Sequence, residues 1–559
     1  MDAGTAGTLV HSVLFNHDLL HGIFSFLHHP PTPPGHADED KPGVEEATLA
    51  RAARVCKTFT DPALAALWDS LPTFLPLWLL LEPLQMLGEQ AAPPDQHLKY
   101  ILTNEISPAN WSRFRHYAAL IREVRLDDVT DARIDQSVWL HLVARAGGEV
   151  TLLPRLRSLS YAVLNPYRTS ILLFLSPTLR KLDLCCSWRA ANWGPIERQE
   201  AAVSMLIRAA CTNCPQLDDL KLSMLEFPGP LRVAAEGLKH RLRRLELGTL
   251  EVSDAATIQA LADISTLEQL REIHVKGLPT QRVPIRGFRA LKDLSIVCDA
   301  VEDVANLLAC VVSPLESLEI CSFAPSSSWQ EGFGAIVPMV KKSLKSFGIE
   351  LLPEPTGNQP ETLYMLQLVQ HLLPLRNLEA FSLLVRDTAL IAEDHAFEAM
   401  TKAWPRLLSF SLDGGVVTSS ATLTTLALFA QNCPALHTLL LPHLTDAVDV
   451  PQLDNDALPV PSQGALRRLS FYLMEGMTIR DPHTTARVIS RLFPNLDIQG
   501  ACRMAPFHKP TPADEDEALA EEQEGAREMQ RQAGRDAWAS VLAVIQQLYM
   551  ETPSPARKQ

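Results

Sequence analysis

Apolar residues recur along this chain in one six-residue figure. Leu-x-x-Leu-x-Leu, with Ile, Val or Phe allowed at the apolar places, appears as LRKLDL from Leu179, LDDLKL from Leu217 and LRRLEL from Leu242. It returns as LREIHV (Leu270), LKDLSI (Leu291), LESLEI (Leu315), LKSFGI (Leu344), LEAFSL (Leu378), LLSFSL (Leu407), LHTLLL (Leu436) and LRRLSF (Leu466). Weaker copies start at Ile121 and Leu156, and a truncated one at Leu496. The intervals run from 21 to 38 residues and settle at 29, 29 and 30 from Leu378 onward, a period that chance does not hold. In each copy the last two apolar residues alternate with polar ones, as in a short strand with one buried face. Helically spaced apolar segments lie between copies, such as Ala201 to Cys211 and Leu423 to Phe429. One strand and one helix per unit predicts an α/β solenoid, a curved parallel sheet with helices outside. No single unit can bury its own apolar face, so neighbours must stack.

Six copies carry proline two residues before the first Leu: Pro154, Pro177, Pro215, Pro405, Pro434 and Pro494. Proline there stops the preceding helix and extends the chain ahead of the strand. NCPQL (Asn213 to Leu217) and NCPAL (Asn432 to Leu436) resemble the cysteine-containing class of leucine-rich repeat, although the buried Asn usual after the strand is mostly absent.

Ahead of the repeats, residues 13–71 read as three short helices. Asn16 is placed to cap the first, with apolar positions Leu19, Leu20, Ile23, Phe24 and Leu27. A proline-rich insert, His29 to Gly43, follows. Thr48 is placed to cap a second helix carrying Leu49, Ala52, Val55, Cys56 and Phe59. Asp61-Pro62 reads as a cap and first helical position for a third, with Leu64, Leu67 and Trp68. The runs DLLHGIFSFL (Asp18 to Leu27), LARAARVCKTFTD (Leu49 to Asp61) and ALWDSL (Ala66 to Leu71) resemble the F-box, with Phe15-Asn16 where that family opens on Leu-Pro. With the repeats behind it, the chain resembles the leucine-rich-repeat branch of F-box proteins. That resemblance implies docking to a Skp-type adaptor on a cullin ubiquitin ligase, with the repeats holding an unidentified protein target. Matched to the motif, the docking residues are Leu14, Leu19, Ile23, Leu27, Val55, Cys56 and Trp68. Each of these apolar residues serves equally well as core between the helices. A scaffold with a vestigial F-box, acting outside any ligase, is the alternative.

The expected layout is a helical module over 13–71, a helical connector over 72–118, the solenoid over 119–500, and a charged linker with a capping helix over 501–559. Residues between the strand leucines face the concave side of such a solenoid. In the first half they are charged: Lys181, Asp183, Asp219, Lys221, Arg244, Glu246, Glu272 and His274. In the second they are small: Ser346, Gly348, Ala380, Ser382, Ser409 and Ser411. The split suggests a polar recognition zone followed by close packing against something; solvated charges and unselected small residues are the simpler reading and the one favoured.

Composition narrows the function. At 47% hydrophobic and 21% charged the chain reads as globular, and a formal charge of -15 lacks the footprint of a nucleic-acid or membrane-surface binder. The most apolar stretch, Leu71 to Leu81, is far below the roughly 20 residues that cross a bilayer and reads as buried helix or loop. No basic segment precedes an apolar run at the start, and ten cysteines without framework spacing read as reduced, so the expected location is cytosol or nucleus. Cys211-x-x-Cys214 is a lone pair and His28, His29 and His36 sit around the insert, so no metal site is expected. Nucleotide, zincin and nucleophile-elbow motifs are missing, which predicts no cofactor and no enzyme. After a charged stretch over 512–535, Trp538, Val541, Leu542, Ile545, Leu548 and Tyr549 form a helical stripe, read as a cap on the solenoid's open end.

Overall fold

The computed structural model describes residues 16–28, 44–82, 84–86, 100–126, 134–146, 151–162, 170–186, 195–223, 227–248, 250–278, 285–325, 328–352, 362–417, 421–445, 465–472, 477–498 and 517–551. They fall into two compact units, Met1–Glu251 with Ala256–Leu267, and Val252–Ala255 with Glu268–Gln559.

The first unit opens with α1 (His17–His28), α2 (Val44–Ala52) and α3 (Lys57–Leu67). Leu20, Phe24, Leu49, Ala63 and Ala66 are its buried core, with Phe59 edge-on to Phe24 at 5.5 Å. Burying Leu20, Phe24 and Leu49 stabilises by about 1.5–3 kcal/mol each. Asn16 caps α1 as its position predicts, Oδ1 accepting from Asp18 and Leu19 N–H at 3.0 and 3.2 Å. The other two boundaries differ from the sequence reading. Helix α2 begins at Val44, ahead of Thr48, and ends at Ala52, so Val55 lies in the turn and Cys56 becomes the N-cap of α3. Pro62 sits inside α3 instead of opening a helix. Its ring is buried beside Ala63 and Ala66, which offsets the helical bond that its missing N–H forgoes. The proline-rich insert, apart from its flanking residues, lies outside the described residues.

Six parallel strands follow in this unit: β1 (Ser70–Leu71), β2 (Glu123–Leu126), β3 (Ser158–Ala162), β4 (Lys181–Cys185), β5 (Asp219–Ser223) and β6 (Arg244–Glu246), each paired with the next. The ladder thus begins at Ser70, ahead of the first repeat motif, and the connector is only partly helical. It holds α4 (Leu75–Trp78), an antiparallel pair (Leu84–Met86 with Tyr100–Leu102) and α5 (Pro108–Ala118). The apolar stretch after Ser70 is buried at Leu71, Phe74, Leu77, Trp78 and Leu81, while Leu79 is exposed. Phe74 stacks on Phe174 at 4.6 Å, and Trp78 meets Phe114 at 5.8 Å and Trp139 of α6 (Gln136–Ala146) at 5.0 Å. Farther along, α7 (Ile196–Asn213) and α8 (Gly229–Gly237) pack together.

The main ladder of the second unit runs through eight parallel strands: β7 (Gln269–Val275), β8 (Asp293–Cys298), β9 (Ser317–Ser322), β10 (Ser346–Leu351), β11 (Ala380–Ile391), β12 (Ser409–Val417), β13 (Thr438–Leu441) and β14 (Arg468–Phe471), with a short strand, Thr362–Tyr364, pairing parallel with β11 beside it. Between them run α9 (Val301–Leu308), α10 (Ser328–Val340), α11 (Asp394–Ala403), α12 (Leu423–Asn432) and α13 (Pro482–Leu492). All three apolar places of the copies from Leu156 to Leu466 are buried. The prolines end the helices where predicted: α7, α11, α12 and α13 each close on one capping residue before Pro215, Pro405, Pro434 and Pro494. One hydrogen-bond device repeats along both ladders. The residue after the first apolar place gives its carbonyl to two N–H groups of the next coil, as Arg180 does for Asp218 and Asp219, and Glu316 for Lys345 and Ser346. Each unit is therefore an α/β stack of leucine-rich coils. The truncated copy at Leu496 forms no strand; Leu496 is buried, but only Asp497 N–H reaches back, to Arg467 O at 2.8 Å.

The last helix, α14 (Glu517–Glu551), takes in most of the stretch read as a charged linker. It packs on α13, with Trp538, Val541, Leu542 and Ile545 buried and Trp538 edge-on to Phe471 of β14 at 4.9 Å. The apolar stripe covers the end of this ladder, as a cap does.

Candidate functional site

The helical module is small, and its core uses only one side of α1. Leu20 and Phe24 turn inward, while Leu19 (48% exposed), Ile23 (47%) and Leu27 (40%) form the neighbouring stripe in solvent. Phe26 (61%) and Val55 (69%) are also open, and Cys56 is exposed at the start of α3. Large apolar side chains thus stand in water on a module whose core uses other residues. Phe26 was not among the residues matched to the motif; its signal was spacing, three residues beyond Ile23 on the same helix. Trp68 is placed differently from the other docking candidates. Its half-buried ring lies on Tyr117 of α5 at 4.6 Å, so it ties the module to the first coil. Leu14 lies outside the described residues.

On the sheet of the first unit, register brings six predicted residues into two rows. Lys181, Asp219 and Arg244 align across β4, β5 and β6, as do Asp183, Lys221 and Glu246. The rows alternate in sign, and four of the six residues pair within them; Asp183 bonds to β3 instead, and its Oδ1 is buried without a partner among the described residues. Arg244 Nε lies 3.0 Å from Asp219 Oδ2, Lys221 pairs with Glu246, and Asp183 accepts from Ser160 Oγ at 3.0 Å. Exposed pairs of this kind contribute about 0–1 kcal/mol each, and they leave little uncompensated charge to recognise a partner.

The other two predicted residues lie on β7 in the second unit. His274 Nε2 sits 3.4 Å from Asp299, which also takes Lys276 at 3.1 Å. Burial acts to raise the Asp299 carboxyl, but hydrogen bonds from Lys276 and His274 hold it below its ordinary range. Glu272 stands at a bulge with φ 54° and is exposed. The small residues of β10, β11 and β12 are half-buried, with Ser382 exposed, so the described residues leave this surface open. A cleft at β14, lined by His437, Arg467 and Arg468, had no counterpart in the sequence reading.

Among the described residues no three His, Cys, Asp or Glu side chains are grouped to hold a metal. Cys214 is fully buried, its thiol pushed up to about 12, mainly by burial. Cys433, in the second NCPAL-type turn, is likewise pushed up to about 12, with its thiol 3.6 Å from Trp404 O. Thiols held protonated in this way are core groups, unsuited to nucleophilic or ligand work near neutral pH. No helix among the described residues is long and apolar enough to cross a membrane.

No family model matches the chain, and no curated protein matches it. Among solved structures it is similar to the leucine-rich repeat-containing protein LegL7 from Legionella pneumophila, at 14% identity and a TM-score of 0.28 over 52% of this chain and 85% of that one. It is also similar to the Rad7 and Elc1 complex in yeast, at 14% identity and a TM-score of 0.33, over 57% of this chain and 69% of that one. Both likenesses are slight; the leucine-rich-repeat fold rests on the two strand ladders themselves.

Proposed function

We propose that this chain is a target-holding adaptor of a Skp–cullin–F-box ubiquitin ligase, working in the cytosol or nucleus. The helical module docks a Skp-type adaptor, the coils hold a protein target, and the cullin-bound partners carry out ubiquitin transfer. The chain itself is not an enzyme. The observation that carries this reading is the exposed stripe of α1, Leu19, Ile23 and Leu27, with Phe26 and Val55, on a module that already has its own core. All of them except Phe26 are residues that the F-box resemblance assigns to docking. A second reading, a repeat scaffold with a vestigial F-box, is favoured by Phe15-Asn16 in place of Leu-Pro.

Co-expression with a Skp-type adaptor separates the two. The full-length chain is expected to retain it through affinity purification and gel filtration. Ile23→Asp with Val55→Asp is expected to weaken retention at least about tenfold, because a charge is forced into the contact. Phe26→Asp is expected to do the same. Wild-type chain that retains no adaptor, with the double variant unchanged, sinks the ligase reading and leaves the scaffold.

A further inference from the structure

The residue after the first apolar place of each coil stands in line with its counterparts, because its carbonyl receives the N–H groups of the next coil. Two cations in that line pair with an acid one coil back, Arg122 with Asp69 at 3.1 Å and Lys345 with Glu316 at 2.8 Å, whereas Arg157 and Arg180 each follow another arginine. The end of the second ladder is likewise without such an acid. The line there reads Leu408, His437, Arg467, so no acid precedes Arg467. Arg468 begins β14 and aligns on the sheet with Thr438, which aligns in turn with Ser409 and Ala380, none of them charged. Among the described residues neither arginine forms an ion pair, and both are exposed. Between them opens a cleft of about 690 Å³, lined by His437, Arg467, Arg468, Asn495, Leu496 and Asp497. Asp497 is its single acid, and its N–H already serves Arg467 O. Past that bond no described strand pairs with the outer edge of β14.

We propose that this cleft takes an acidic peptide segment of a protein partner, its carboxylates set against Arg467 and Arg468. The chain carries -15 overall, so a pair of uncompensated guanidinium groups is a local reversal of sign. Guanidinium forks match carboxylates bidentately, and carboxylates are the anions that a peptide supplies most densely. The volume lies within the roughly 300–1,000 Å³ of ordinary binding pockets. The proposal rests on the reading that the coils hold a protein target, and is independent of what the helical module docks.

The test is fluorescence anisotropy of the full chain with a labelled twelve-residue Glu-rich peptide and its Gln counterpart. The Glu peptide is expected to bind at least about tenfold more tightly, with the difference shrinking as salt rises. Arg467→Glu with Arg468→Glu is expected to erase that preference while leaving the thermal melt in place. Asp497→Asn is expected to tighten the Glu peptide about two- to threefold, because it removes the one opposing charge. Equal affinity for the two peptides, or an unchanged preference in the double reversal, overturns the proposal. Neither result touches co-purification with a Skp-type adaptor, so the two readings fail separately.

Discussion

Asp303 shows what holds a charge inside this protein. The side chain is 4% exposed, at the start of α9, and its carboxylate accepts from Gly277 and Leu278 N–H at 2.9 and 2.8 Å. Gly277 adopts φ 63°, a conformation open to glycine, in the turn that brings those N–H groups to the carboxylate. Asp303→Ala leaves two donors unsatisfied and is expected to cost about 1–3 kcal/mol, read as a lower urea midpoint with unchanged slope. Asp303→Asn keeps one acceptor and is expected to recover part of the loss. Nothing in the repeat pattern announced this contact, because it joins two coils through a turn. Glu272 was misread for another reason. The strand starts at Gln269, and Leu267, not Leu270, holds the first apolar place, since Glu268 O receives the N–H groups of the next coil. Leu270 and Ile273 are then three apart where their partners Leu294 and Ile296 are two apart, so the extra residue at the bulge shows in the spacing once the copy is aligned on Leu267.

At the scale of elements, spacing told where helices and strands lie better than it told where they end. Pro62 reads as a helix start, and burial of its ring places it mid-helix instead. The stripe Trp538, Val541, Leu542 and Ile545 was visible as a helical face, but its partner Phe471 was not. The charged residues ahead of it continue the same helix, because Glu, Gln, Ala and Arg are strong helix formers that need no core. Tyr549 adds a bond from its hydroxyl to Phe493 O at 2.7 Å. Trp538→Ala removes the largest buried group of the cap and is expected to cost about 3–5 kcal/mol of local stability. Faster proteolysis and hydrogen exchange across 517–551 and the end of β14, with protection at β8 and β9 unchanged, are the outcome that checks it.

At the scale of the whole molecule, charge is distributed so that most of it cancels. Two opposite-charge pairs join β5 and β6, and the formal sum remains -15. Duplex DNA is therefore expected to go unbound at about 150 mM salt, with no anisotropy change up to tens of micromolar chain. A salt-sensitive rise would instead mean that the cations of the last coils reach phosphate. Binding by this protein is thus expected to come from local exceptions: an apolar stripe on α1 and an unpaired pair of arginines at β14.

The amino-acid sequence by itself determined the repeating coil and the presence of the helical module. A strand with one buried face must alternate, and a coil that cannot cover its own face must have neighbours; both demands are written in spacing alone. It also named most of the exposed apolar residues of α1 as docking candidates, though motif matching could not tell Ile23, in solvent, from Trp68, against Tyr117. Only the tertiary structure decided which charges are satisfied. Lys221 and Glu246 look no different in sequence from Arg467 and Arg468, and what separates them is which side chain the neighbouring coil places within reach.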